Sequence, residues 1–289
     1  MFGFPFLPVW AVHIGSGVLS PLWIMGGFVL AALLALIGAW RIRDEEIPQT
    51  ALLTAAFFVA SLIHIPGTNV HLLLVGLLGV VLGRRAALAI PVGLALQAVL
   101  FQHGGYDALG VNSCVMTLPA LVAWQLFTAL QGLPWLRERW FRGALVALSA
   151  AAWAISLIYG LALLFNDRSA SLAPTWHVVA GGAAVVISSV AVWAERRLES
   201  APEFPLGLLV GELSVLATVI LHCAALNWGA GEEEAWYTLA LISFVAHLPV
   251  AALEGAVLGF TMGFLARVKP ELLGWVAVEE GQCSADPLH

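Results

Sequence analysis

Apolar runs of about 20 residues recur from one end of this chain to the other, each long enough to cross a hydrocarbon layer as a helix. No other feature constrains the fold as tightly. Inside lipid every backbone N–H and C=O has to be satisfied by the chain itself, which leaves helices or a closed barrel, and these runs are too long for barrel strands. Composition agrees: 61% of the 289 residues are hydrophobic and 10% are charged, with mean hydropathy +0.94. A soluble domain carries about 25% charged residues. The sequence predicts an all-α, polytopic membrane helix bundle that forms a single integral membrane domain over residues 1–289.

Nine spans are expected, near 14–40, 50–63, 70–82, 86–101, 113–133, 143–165, 175–193, 205–228 and 236–266. The second, third and fourth are short for full crossings. They are expected to tilt, or to break in the bundle interior, where irregular backbone is tolerated if it lines a cavity. Arg41 and Arg43, Arg84 and Arg85, the Arg137–Arg142 cluster, Arg196 and Arg197, and Arg267 with Lys269 each follow an odd-numbered span. Only Arg168 of the twelve cations falls on the other side. Because cytoplasmic loops collect Lys and Arg, the N-terminus is expected outside and the C-terminus inside, in a multi-pass protein of the cell (inner) membrane. Residues 1–13 then form an external extension and 270–289 a short cytoplasmic tail. The apolar Met1–Trp10 stretch has no basic flank and does not fit a cleavable signal peptide.

Several function classes fall away. The cations come in ones to threes, so there is no patch to hold a nucleic acid. Three cysteines without a Cys-x-x-Cys pair give neither a disulfide framework nor a thiolate metal site. There is no Gly-x-x-x-x-Gly-Lys-Ser/Thr loop, so no nucleotide is expected on this chain. No nucleophile–base–orienter set is readable, and an enzyme is not expected.

Histidine placement suggests a function. His13, His64, His71, His103, His177 and His222 all lie at span ends opposite the arginines. Neutral imidazole is the commonest metal ligand, so the external mouth is a candidate site for a transition-metal ion. In His64-Ile65-Pro66-Gly67-Thr68-Asn69-Val70-His71 the Pro-Gly pair turns the backbone and lets two histidines converge. Thr68 and Asn69 can orient a ring from behind. In Val12-His13-Ile14-Gly15-Ser16-Gly17 the glycines allow the string to fold inward as a plug that delivers His13. The Gly104-Gly105 loop after Gln97 carries His103, expected to be structural, and Asn112 is expected to cap the fifth span. Glu212, His247 and Glu254 lie within spans and are candidates for buried structural or functional groups. The Glu232–Glu234 run is expected in an external loop.

Taken together these strings resemble the CbiM/NikM family, the substrate-capture components of energy-coupling-factor importers for cobalt and nickel. The family opens with Met-His-Ile-x-Asp-Gly-(Phe/Ile)-Leu-Ser-Pro, to which Val12–Pro21 is similar. Pro66–Gly76 resembles its second-to-third-helix loop, Gln97–Asn112 its Gln-Ala-Leu-Leu-Phe-x-x-Gly-Gly string, and Pro249–Gly255 and Lys269–Leu273 its last helix and ending. The resemblance implies a permease that takes up a divalent metal ion, cobalt or nickel, alongside ATP-binding cassette ATPase subunits and a transmembrane coupling subunit. It places His13 and His71 at the family's two metal-binding histidines.

This chain also departs from the pattern. Eleven residues stand before Val12, which replaces the initiator Met, so the family's amine chelate would require cleavage after Ala11. Ser16 stands where the family has an acid. Residues 143–194 look like a two-span insertion. Without the amine, His13, His64 and His71 are expected to form a replacement three-imidazole site. Ser16, Thr68, Asn69, His103, Asn112 and Glu254 are expected to support the site or the fold. The alternative is a repurposed relative, a membrane metal or haem sensor or a scaffold that no longer transports.

Overall fold

The computed structural model describes residues 13–63, 70–134, 138–165, 174–198, 203–230 and 235–273. Among them the helices are α1 (Pro21–Ala39), α2 (Ile47–Ala60), α3 (Val75–Leu82), α4 (Ala86–Phe101), α5 (Leu109–Leu130), α6 (Arg139–Phe165), α7 (Pro174–Leu198), α8 (Phe204–Gly229) and α9 (Ala235–Val268). An isolated antiparallel bridge links Leu19 and Ala230. Among the described residues seven helical stretches are long and apolar enough to cross a membrane, one of them running from Val75 to Phe101.

That stretch is not a straight rod. Helix α3 is about 12 Å long and α4 about 24 Å at 1.5 Å per residue, yet the rings of His71 before α3 and His103 after α4 lie 5.4 Å apart. The chain therefore reverses between the two helices. It does so at Gly83, whose φ of 57° a side chain would resist, and Arg84 and Arg85 then anchor the turn. Arg84 donates to the carbonyls of Ile37, Gly38 and Arg41 at the end of α1. Arg85 donates to the Glu46 carbonyl, Thr50 Oγ1 and Gln49 Oε1 at the start of α2.

The sequence reading expected a third span from residue 70. The structure instead keeps 70–74 non-helical and starts α3 at Val75, after Leu74 in the left-handed region (φ 49°). A helix that starts inside the bundle leaves amide N–H groups without intrahelical partners. Glu254 of α9 accepts from two amides at this junction, Leu73 N–H and Leu74 N–H, the latter at 3.0 Å. Glu254 and His247 thus go to different partners, since His247 Nδ1 bonds to the Ser243 carbonyl.

Small residues set the closest helix crossings, as is common where lipid offers no competing hydrophobic drive. A Cβ on Gly207 would come 2.6 Å from Gly259 Cα, and one on Gly211 2.7 Å from Gly255 Cα, so α8 and α9 pack backbone against backbone. The main core joins Ile14, Phe57, Leu73, Leu78, Ile90, Met116, Val219 and Leu226 from the N-terminal string, α2, the 70–74 segment, α3, α4, α5 and α8. Helices α6 and α7 form a hairpin against α8 and α9. It is tied by the Arg142–Glu195 ion pair at 2.6 Å and by a hydrogen bond from Ser149 to Glu212.

Two expectations at element ends need correction. The first helix begins at Pro21, not near residue 14, because 13–20 leaves the helical path to pack on the bundle. Asn112 is not a cap: α5 starts at Leu109, and Asn112 lies buried in its first turn with its amide committed to another segment. The Glu232–Glu234 run lies outside the described residues.

Candidate metal centre

Three non-helical segments meet at one end of the bundle. The first is the string 13–20. Ile14 N–H donates to Asn112 Oδ1 at 2.9 Å, and Asn112 Nδ2 donates back to the Ile14 carbonyl at 3.0 Å. Gly105 N–H reaches the same carbonyl at 3.0 Å. This clamp fixes the backbone of the residue next to His13. The close approach also requires Gly105, where a Cβ would come within 2.6 Å of the Gly15 carbonyl carbon.

Asp107 adds a second tie. It accepts from Gly17 N–H at 2.8 Å and from Ala108 N–H at 2.9 Å. Burial raises the Asp107 carboxyl, but hydrogen bonds from Gly17, Ser16 and Ala108 outweigh it and hold it below the usual carboxylate range. The string is thus folded inward as a plug by a two-point amide clamp and a carboxylate staple.

His13, His71 and His103 converge where these segments meet. Ring centroids are 5.0 Å apart for His13–His71, 4.6 Å for His13–His103 and 5.4 Å for His71–His103. One ligating nitrogen from each lies within 4.8 Å of the others. His71 Nδ1 sits 2.9 Å from the Leu72 carbonyl. A carbonyl only accepts, so this bond puts the proton on Nδ1 and the lone pair on Nε2. His13 Nε2 is buried without a protein hydrogen-bond partner. Burial, then the neighbouring His71, His103, His222 and His247, push the His13 imidazole well below its ordinary value. It is therefore neutral at pH 7, the form that binds metal.

The structure brings together the rings of His13 and His71, the two positions singled out by the family resemblance. The third ring is His103, expected to be structural. His64, Thr68 and Asn69 lie outside the described residues. Ser16 is exposed, beside Asp107 rather than among the rings. Asn112 supports His13 through Ile14. Glu254 is placed at the α3 junction, not at the mouth. His177 is on the α6–α7 hairpin, 2.5 Å from the Tyr159 hydroxyl, while His222 and His247 are almost fully buried in α8 and α9. Asp107 was missed. Its signal was the Gly-Gly-Tyr-Asp string, in which a carboxylate follows two glycines in a loop beside His103.

Three imidazoles brought this close together can bind a borderline divalent cation such as Ni, Cu, Zn or Fe. With three protein nitrogens, further positions on the ion stay open for water or other donors.

Known proteins place this geometry in a lineage. The family described as cobalt uptake substrate-specific transmembrane region, CbiM, matches residues 13–194 and 178–272. A putative metal transport protein of Haemophilus influenzae is 43% identical over 118 residues, which span 40% of this chain and 57% of that protein. The fused nickel transport protein NikMN of Rhodobacter capsulatus is 29% identical, with 85% of this chain and 80% of that one covered. A putative cobalt transport protein CbiM of Methanocorpusculum labreanum is 25% identical over 94% of this chain and 96% of its own length. A solved structure of a truncated transition metal transporter aligns with TM-score 0.47 and 19% identity over 90% of this chain and 98% of that one. These relatives are transport proteins, not enzymes. With the family matched from residue 13 to residue 272, the chain is a multi-pass membrane protein belonging to the CbiM family.

Proposed function

We propose that this chain captures a cobalt or nickel ion outside the cell and passes it inward as the membrane component of an energy-coupling-factor importer. The observation that carries this reading is the convergence of His13, His71 and His103 on one point. The ion is the cargo, so it has to be held by ligands that can let it go. Three imidazole nitrogens without a carboxylate or thiolate suit that role better than a closed structural site.

Orientation follows from charge. The triad lies at the end of the bundle opposite the Arg84–Arg85 turn, and the arginine end is cytoplasmic by the positive-inside rule. Counting α3 and α4 as a descending and an ascending pass gives nine crossings, with the N-terminus outside and the C-terminus inside. The α6–α7 hairpin is an accessory pair at the edge, and residues 143–194 are not needed to build the triad. Without a phosphate loop the chain takes its energy from ATPase subunits through a coupling subunit.

Uptake of radioactive nickel or cobalt into cells carrying the whole transport system tests the reading. His71→Ala is expected to abolish uptake with the protein still in the membrane. Unchanged uptake would refute the assignment.

A further inference from the structure

The triad accounts for the mouth, but the bundle buries further imidazoles that it does not use. His222 of α8 and His247 of α9 are each 1% exposed. In the glycine-packed register residue 207 faces 259 and 211 faces 255. Carried up two turns, that register sets Val219 opposite His247, one helical turn from His222. The two histidines therefore occupy adjoining levels of one interface. The Ser20 amide bonds to the Gly229 carbonyl at 2.8 Å, which joins the end of α8 to the N-terminal string. His222 is seven residues from that junction, about 10 Å deeper at 1.5 Å per residue. Both imidazoles act electrostatically on His13. His247 does not share the 4.8 Å cluster of the triad.

His247 is also prepared in the same way as His71. Its Nδ1 lies 2.7 Å from the Ser243 carbonyl, so Nδ1 carries the proton and Nε2 the lone pair. That Nε2 is buried and has no protein hydrogen-bond partner. A buried polar atom left in this state is destabilising unless something else engages it. A carbonyl that fixes the tautomer of an imidazole while its other nitrogen points into the interior is the usual support of a metal ligand. Gln97 of α4 and Thr117 of α5, both fully buried, likewise have side-chain polar atoms without protein partners.

We propose that His247, with His222 one turn away, is a second and deeper binding station for a first-row transition-metal dication, which it receives from the triad by exchange of imidazole ligands. The inference rests on the importer reading and adds a step to it. Ligand exchange leaves the ion's oxidation state unchanged. Each imidazole of the triad is released neutral, and none of the groups need change protonation.

The test separates capture from transfer. Equilibrium dialysis of the purified full-length chain against nickel measures capture, and radioactive nickel uptake by cells with the complete transport system measures transfer. His247→Gln is expected to keep the affinity of the tighter site within about 3-fold, lower the saturating stoichiometry from two ions to one, and slow uptake by about 10-fold or more. Unaltered tight binding shows that the variant is folded. His222→Gln, made independently, is expected to slow uptake in the same direction. Normal uptake in His247→Gln, a single ion bound by the unaltered chain, or equal loss of tight binding in His247→Gln and His71→Ala would each overturn the second station. Failure of the unaltered chain to bind nickel or cobalt at all would instead overturn the importer reading on which it stands.

Discussion

Helices α8 and α9 meet through glycines along their backbones, whereas α6 and α7 meet mainly each other. Within their apolar stretches, 56% and 44% of α8 and α9 are buried, against 11% and 6% of α6 and α7. Both pairs are apolar enough to span, so hydropathy does not separate them. What separates them is what a side chain would meet. The α8–α9 glycines admit no Cβ without displacing backbone, while Gly181 and Gly182 of α7 face open space. In lipid, apolar surface alone does not pull helices together, and close fit has to do so. The tightly fitted pair carries His222, His247 and Glu254, and the loosely attached pair carries none of the groups at the mouth.

The largest expected effect lies outside both pairs and marks where function resides. His13→Ala and His71→Ala should each weaken nickel or cobalt binding by about 100-fold or more, read by equilibrium dialysis, since the loss of a first ligand exceeds the 10–100-fold typical of its supports. Wild-type affinity in either variant would remove that residue from the site.

Next is packing. Gly211→Leu should destabilise the chain by about 1–3 kcal/mol, the usual cost of overpacking, seen as a lower unfolding midpoint in detergent. Gly182→Leu in α7 should change it by less than about 0.5 kcal/mol. Equal shifts would erase the contrast between the two pairs. Glu254→Ala removes the acceptor at the broken third span and should cost about 1–3 kcal/mol. Glu254→Gln keeps an acceptor oxygen and should cost less, an ordering that a purely steric role for this residue would not produce.

The smallest effect tests the hairpin's attachment. Ser149→Ala deletes its bond to Glu212 and should cost about 1 kcal/mol or less, with nickel affinity unchanged. A loss of affinity would show that the hairpin communicates with the mouth.

Much of this was legible before folding, though unevenly. Helix α4 runs over 86–101, where the apolar run said it would, because the run is bounded by two arginines and by the Gln102-His103-Gly104-Gly105 turn. The shortness of the third span leaves tilt and break both open, and the structure has a non-helical stretch at 70–74 before α3. The residue that supports it, Glu254, was visible as an intramembrane acid, but nothing local ties it to Leu73, 181 residues away. Asn112 looked like a cap because a polar residue precedes an apolar run. Its partner is Ile14, which only the tertiary structure brings near.

The sequence by itself determined that the chain spans a membrane as helices and which span ends carry arginine and which carry histidine. Those properties are set by composition and short-range order, and lipid enforces them residue by residue. Tertiary structure decided that His103 is the third ring, that Asp107 and Asn112 hold the plug, and that Glu254 supports a helix beginning inside the bundle. Each of these depends on contacts between segments far apart in the chain, so neither periodicity nor spacing encodes them. Histidines were abundant at one end of the spans, but contacts between segments far apart in the chain decided which of them converge.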